Sequence, residues 1–167
     1  MVIFARSVLV TMVSVAALCL LGTPSPAAAQ SKQAAASPAA PGAEKKPHRL
    51  ILQVNTNEPA AMNLALNNAA NVEQHYKSIG QRVQIEIVAF GPGLNMLRDD
   101  TSPVKERIKS LAETSRSISF AACDNTRTNM SRAEQKEIPL VSQATVVSSG
   151  VVRVMELQEQ GWSYVRP

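Results

Sequence analysis

Cysteine and histidine are scarce in this chain of 167 residues, which contains two of each. So few cysteines exclude a disulfide-stapled mini-protein, because such folds depend on several bridges. The two histidines, His48 and His75, match no zinc-ligand spacing, and we therefore expect no metal site. We also expect no cofactor, since the glycine-containing turn at residues 90–93 lacks both a full G-x-G-x-x-G pattern and a lysine.

The excess of positive charge is small, and most of it lies outside the expected domain. The chain contains 17 Lys and Arg against 13 Asp and Glu, but Arg6, Lys32, Lys45 and Lys46 all precede residue 48. Residues 48–167 contain 13 basic and 12 acidic side chains, a net charge of +1. A nucleic-acid-binding domain shows its basic patch on the folded surface, so the charge distribution argues against a nucleic acid partner.

The first 29 residues have the pattern of a secretory signal peptide. A start containing Arg6 precedes an apolar run at residues 7–21, and small residues follow as far as Ala29. The apolar run is shorter than the roughly 20 residues of a spanning helix, which favours cleavage after Ala29 over an uncleaved membrane anchor. We therefore predict a periplasmic or secreted protein with no stable membrane span after cleavage. Its mature chain would contain a single thiol, that of Cys123.

A linker is predicted at residues 30–47, before the folded domain. This stretch is rich in Ala, Pro, Ser and Lys and has no apolar residue larger than alanine. Such a composition buries too little apolar surface to offset the entropy lost on ordering, so we predict disorder. The rest of the chain, residues 48–167, is predicted to form one α/β domain.

Strand and helix patterns alternate throughout that domain. Apolar runs predict five strands, at residues 49–55, 83–89, 117–122, 144–147 and 162–165. Amphipathic spacing predicts four helices, near residues 57–79, 104–114, 124–136 and 151–160, with a short helical piece at 94–97. This order predicts a three-layer α/β/α sandwich of flavodoxin-like size, with a five-stranded, mainly parallel sheet and helices on both faces.

Ligands of open α/β sheets bind at the carboxyl ends of the strands, where Cys123 is the strongest nucleophile. We expect its sulfur to be open to solvent, and a helix N-terminus would stabilise its thiolate, but the sequence leaves the direction of the pKa shift undecided. Asp124 opposes that ionisation through its charge, and Arg127 offers compensation. A buried, inert cysteine is the alternative interpretation. Binding residues are predicted at Asn55, Gly91, Gly93, Asn125, Thr126 and Ser149.

Five segments together indicate a family. They are Leu66–Asn71 (LNNAAN), Val88–Gly93 (VAFGPG), Phe120–Thr126 (FAACDNT), Val147–Val152 (VSSGVV) and Leu157–Pro167 (LQEQGWSYVRP). In their order and spacing they resemble the DsrE/DsrF-like family of sulfur-relay proteins, most closely its small single-domain branch. The resemblance covers about residues 49–167, which is the whole predicted domain.

The resemblance implies the three-layer fold, assembly into trimers or hexamers, and a cysteine that carries sulfur as a persulfide. Cys123 falls at the corresponding place, with Asn125 and Thr126 beside it. One hypothesis is therefore an exported persulfide carrier, or sulfurtransferase-like thiol protein, that exchanges sulfur with a donor or acceptor protein. The alternative hypothesis is a non-catalytic oligomeric module that binds a ligand or protein and has a structural Cys123. The sequence leaves open whether the protein transfers sulfur in repeated catalytic cycles.

Overall fold

A computed structural model describes residues 46–167. The predicted signal peptide and residues 30–45 of the predicted linker lie outside the described residues. The strands are β1 (His48–Val54), β2 (Val83–Ala89), β3 (Ile118–Cys123), β4 (Ala144–Val147) and β5 (Ser163–Val165). The helices are α1 (Pro59–Ser78), α2 (Lys105–Thr114), α3 (Asp124–Glu134) and α4 (Gly150–Glu159), and a 3₁₀ helix spans Gly91–Leu97. Within residues 46–167, no helix combines the length and the apolar character that crossing a membrane requires.

The five strands form one sheet in the order β4-β3-β2-β1-β5, and every neighbouring pair is parallel. This confirms the predicted α/β class, the five-stranded sheet and the three-layer arrangement. The register pairs Val54 with Ala89, Ala89 with Ala122, and Cys123 with Val147. The carboxyl ends of β1 to β4 therefore meet along one edge of the sheet.

The larger core lies on one face of the sheet and is closed by α1 and α2. Met62 and Leu66 of α1 and Ile108 of α2 are fully buried there against strand residues that include Phe120. Alternation along the strands supplies these inward side chains, and each one stabilises the fold by about 1.5–3 kcal/mol through burial. This face accounts for the long apolar stripe of α1.

The opposite face has a smaller core beneath α4. Val154 and Leu157 of this helix pack on Ile51, Val88 and Ala121, the central residues of β1, β2 and β3. A partly buried ion pair holds the same helix on the sheet, since Arg153 donates to the buried Glu86 at 2.6 and 2.8 Å. Among the described helices, α4 alone contributes buried residues to this core. The position of α4 thus depends on a small set of contacts.

The element boundaries differ from the predictions near the start of α1 and after β2. The helix begins at Pro59, after Glu58, which occupies the cap position without a side-chain capping bond. Asn57 accepts a hydrogen bond of 2.7 Å from Asn95, which ties this turn to the 3₁₀ helix. Gly80 follows the end of α1 with a φ of +66°, in the left-handed region that favours glycine. The short helical piece expected at 94–97 begins earlier, at Gly91, and is a 3₁₀ helix.

Arg98 joins the end of the 3₁₀ helix to the end of α3. Its guanidinium is buried and donates to Asp100 at 2.8 and 2.9 Å and to Glu134 at 2.9 Å. Hydrogen bonds from Arg98 hold the pKa of the Asp100 carboxyl well below its usual range, and they lower the pKa of Glu134 as well. This network fixes α3 relative to the turn that follows β2.

Candidate functional site

Cys123 is the last residue of β3 and the cap residue of α3. Its backbone is extended, with φ of −72° and ψ of 116°, which turns the chain from strand to helix. The residue is only 4% exposed, although we expected the sulfur to be open to solvent at the rim of the sheet. That expectation is wrong, since the side chain is buried at the junction of β3 and α3.

Polar groups near the sulfur of Cys123 lower the pKa of its thiol. They are the hydroxyl of Thr126 and the backbone N–H groups of Gly150, Thr126 and Asn125. Asn125 and Thr126 belong to the first turn of α3, whereas Gly150 is the first residue of α4. N–H groups in the first turn of a helix have no partner within it, and they favour an anion. The sulfur therefore lies at the N-termini of two helices at once, an arrangement suited to a thiolate.

The surroundings of Cys123 shift its pKa in opposite directions. Burial raises the pKa of the thiol, because the charged form loses its water. The hydroxyl of Thr126 and the three N–H groups lower it by more, so that the pKa lies below its ordinary value of 9.0. Hydrogen bonds to the ionised form thus dominate over desolvation.

Arg127 does not act as the compensating charge that the sequence suggested. Its guanidinium donates to the carbonyl of Ile138 at 3.1 Å and to the carboxylate of Glu137 at 3.0 Å. The Arg127 side chain therefore binds the segment between α3 and β4. The pKa of Cys123 is lowered by backbone N–H groups and by the hydroxyl of Thr126, and not by a neighbouring cation.

Gly91 and Thr126 meet beside the thiol. The N–H of Gly91 donates to the hydroxyl oxygen of Thr126 at 2.9 Å, and the same hydroxyl lowers the pKa of the Cys123 thiol. Gly91 adopts a φ of +52°, in the left-handed region that favours glycine. The structure therefore brings Gly91, Asn125 and Thr126 to Cys123, three of the predicted binding residues.

The other three predicted binding residues have different surroundings. Gly93 permits a close backbone approach, since a Cβ there would lie 2.2 Å from the carbonyl oxygen of Val54 and 2.7 Å from the nitrogen of Asn55. Because Gly93 has no side chain, the 3₁₀ helix packs directly against the end of β1. Asn55, which is half-buried, lies at this contact. Ser149 is the cap residue of α4, and its side chain makes no capping hydrogen bond.

Gly150 is the site residue that sequence reasoning missed. It supplies an N–H to Cys123, and a Cβ at this position would lie 2.7 Å from both Cβ and Cδ1 of Phe90. The absence of a side chain therefore lets α4 begin close to the thiol. The available signal was the Ser-Ser-Gly sequence between the fourth strand and an apolar helix.

A groove of about 540 Å³ passes next to this site. Gly91, Thr126, Asn57 and Asn129 are among the residues that line it. Thr126 therefore contacts both the groove and the sulfur of Cys123. A small molecule in the groove would lie next to the hydroxyl that bonds the thiol.

A separate depression of about 380 Å³ contains both histidines. His48 and His75 line it together with Tyr76, whose ring stacks on His48 with a centroid distance of 4.0 Å. It lies where β1 and β2 begin, at the opposite end of the strands from Cys123. Over residues 46–167, no group of three or more His, Cys, Asp or Glu side chains is arranged to hold a metal ion.

Comparison with known proteins supports the fold and identifies a related protein of solved structure. No family model and no curated protein matches the chain. Among solved structures, MTH1491 from Methanobacterium thermoautotrophicum, a protein of unknown function, is 30% identical with a TM-score of 0.61. The match covers 72% of this chain and 99% of that protein. The chain therefore belongs to the same protein family as MTH1491, a membership that establishes the shared fold and no activity.

Proposed function

We propose that this protein is a DsrE-like sulfur carrier that holds sulfane sulfur as a persulfide on Cys123. The observation behind the proposal is a buried thiol between β3 and α3 whose pKa is lowered by the hydroxyl of Thr126 and by backbone N–H groups that donate from the starts of α3 and α4. The thiolate is the nucleophilic form of cysteine, and those donors favour it. The resemblance of the segments around Cys123 to sulfur-relay proteins agrees with this chemistry.

The proposed reaction is an exchange of sulfur between thiolates. The Cys123 thiolate attacks the outer sulfur of a donor such as an inorganic polysulfide, and a new S–S bond forms. The S–S bond of the donor breaks, and its electron pair leaves with a polysulfide shorter by one sulfur atom. An acceptor thiolate then attacks the outer sulfur of the persulfide, and the electron pair returns to Cys123 as the thiolate. The hydroxyl of Thr126 and the nearby N–H groups stabilise that leaving group.

The burial of Cys123 favours small sulfur donors. At 4% exposure the sulfur does not project from the surface, whereas a neighbouring groove of about 540 Å³ reaches Thr126. An inorganic polysulfide fits such a groove more readily than the rigid surface of a protein does. We therefore propose that loading uses a small sulfane-sulfur compound.

Mass spectrometry of the full chain tests the proposal. After incubation with polysulfide, trypsin releases the peptide Ser117–Arg127, which contains Cys123. We expect this peptide to gain the mass of one sulfur atom and to lose it when an acceptor thiol is added. Cys123→Ser is the control and should gain nothing. An unmodified wild-type peptide, under conditions that modify a free cysteine peptide, would refute the carrier function.

A second candidate function is a non-catalytic oligomeric binding module in which Cys123 is structural. The observation that favours it is an exposed apolar surface on α4, formed by Val151, Val152 and Met155, which are 52%, 45% and 55% exposed. Single exposed apolar residues are common, but contiguous ones on a helix mark interaction sites. We propose a second copy of this chain as the occupant, because the exposed residues Val151, Val152 and Met155 are apolar and the domain has almost no net charge.

A further inference from the structure

A depression of about 620 Å³ lies at the amino-terminal ends of the strands, the opposite end from Cys123. We propose that it is a binding site for the phosphate group of a phosphate monoester. Its lining comes from the end of α1, the start of β2 and the segment before β3, and it includes Lys77, Arg82 and Arg116. Because none of these residues belongs to the thiol site, the proposal is independent of the carrier function.

The lining of this depression is positively charged, although the domain as a whole is nearly neutral. Three cationic side chains line it together with one carboxylate, that of Glu73. Residues 48–167, by comparison, have a net charge of +1. The local excess of positive charge matches a phosphate monoester, which carries a charge of about −1.5 to −2 at pH 7. Charge complementarity therefore favours a doubly charged oxyanion over a carboxylate or an uncharged ligand.

Glu73 does not pair with the lysine that lies one turn further along its helix. Glu73 and Lys77 are four residues apart on α1, which is the spacing of a helical ion pair. The Oε1 atom of Glu73 instead accepts hydrogen bonds from the hydroxyls of Ser115 and Ser117. Ser115 is buried, so these bonds hold the carboxylate against the segment before β3. Lys77 is left without a carboxylate partner among residues 46–167.

Arg116 is a second exposed cation in this depression that forms no ion pair within the described part of the chain. Arginine binds phosphate through two parallel N–H donors, and lysine binds it as a compact charge. The volume of the depression falls within the range of small-molecule sites, roughly 300–1,000 Å³. It therefore leaves room for the organic group that the phosphate esterifies.

Calorimetric titration of the full chain with glycerol 3-phosphate, at constant ionic strength, tests the proposal. We expect Arg116→Gln and Lys77→Gln each to weaken the affinity by about five- to tenfold, because each removes one charge-assisted contact. Lys109→Gln removes an exposed cation of α2 that does not line the depression. It is the matched control and should bind the ester as the wild type does.

Glu73→Gln gives a test of the opposite sign. The glutamine keeps an oxygen that can accept from Ser115 and Ser117, but it removes the negative charge from the lining. We therefore expect this variant to bind glycerol 3-phosphate more tightly than the wild type. Glu159→Gln, at an exposed position of α4 outside the depression, is its control and should leave the affinity unchanged.

Vesicles distinguish a soluble ester from a membrane lipid as the source of the phosphate. Phosphatidic acid presents the same glycerol phosphate group, and co-sedimentation with phosphatidylcholine vesicles that contain or lack it measures this binding. Binding to these vesicles in place of the soluble ester, weakened by Arg116→Gln, would retain the site and assign its ligand to a lipid. The proposal is overturned if neither ligand binds, or if Arg116→Gln and Lys77→Gln bind both as Lys109→Gln does.

Discussion

Cys123 is 4% exposed, yet its immediate neighbours are hydrogen-bond donors as well as apolar groups. A cysteine packed among apolar side chains alone would have a raised pKa and little reactivity. Here the hydroxyl of Thr126 and the N–H groups reverse that effect, and the pKa of the thiol is lowered. At the residue scale, the thiol of Cys123 is both buried and low in pKa, because the polar groups near the sulfur include hydrogen-bond donors.

The lowered pKa of Cys123 predicts a dependence of stability on pH. In the unfolded chain the thiol has its ordinary pKa, 9.0, and in the folded protein the pKa is lower. The stabilisation by the thiolate is therefore fully present above pH 9 and is lost as the pH falls through the folded-state value. We expect the free energy of unfolding of the wild type, relative to Cys123→Ser, to rise from neutral pH to pH 9. Urea denaturation at several pH values measures this difference, and a difference that stays constant contradicts the lowered pKa.

At the scale of elements, two helices begin at the same point. α3 begins directly after β3, whereas Ser148 and Ser149 separate the start of α4 from the end of β4, so packing also helps to place α4. Val154 and Leu157 of α4 are buried, Arg153 binds Glu86, and the missing side chain of Gly150 allows contact with Phe90. The donor from α4 therefore reaches the thiol only if these contacts hold the helix in place.

Gly150→Ala tests that dependence. The added Cβ would lie 2.7 Å from Phe90, so the first turn of α4 must move and its N–H must leave the sulfur. We expect a higher pKa for Cys123, read from the pH profile of alkylation, and a loss of about 1–3 kcal/mol of stability from overpacking.

The matched control lies at the other end of the same helix. Gly161 has a φ of +82°, and a Cβ there would meet its nearest atom at 3.9 Å. Gly161→Ala should lose about 1 kcal/mol or more through backbone strain, while the alkylation profile of Cys123 stays as in the wild type. If Gly150→Ala and Gly161→Ala give the same profile, α4 does not contribute to activation of the thiol.

At the scale of the whole molecule, the two faces of the sheet are unequally covered. One face packs against α1 and α2 over a large core, whereas the described residues place only α4 over the small core of the other. On the outer side of α4, Val151, Val152 and Met155 are exposed. The asymmetry favours contact with a second copy on the side of the sheet that α4 covers.

Charge substitutions on α4 test this association. We expect the full chain to form an oligomer, with a trimer or hexamer implied by the family resemblance, and Met155→Lys to reduce it to smaller species. The reason is that burying an unpaired lysine ammonium in an apolar interface is strongly unfavourable. Gln158→Lys, at an exposed polar position of the same helix, is the control and should keep the wild-type mass. Light scattering after size-exclusion chromatography gives the mass, and a monomeric wild type would exclude the oligomeric module.

The site was predictable from the sequence only in part. Cys123, Asn125 and Thr126 are adjacent in the chain and follow a recognisable strand, so a local pattern was enough to group them. Gly91 was included because it follows another strand, although its bond to Thr126 spans 35 residues. Gly150 was missed, because its role depends on the space beside Phe90, and no local pattern encodes that space.

The sequence by itself determined the order of the elements and the α/β class, because apolar periodicity is a local property that each segment shows alone. It also located the thiol at the carboxyl edge of the sheet, since a parallel sheet brings all such ends together. Only the tertiary structure decided that Cys123 is buried, that the N–H of Gly150 lowers its pKa, and that the N–H of Gly91 bonds the hydroxyl of Thr126. These features depend on distances between segments far apart in the chain, and those distances are set when the helices pack on the sheet.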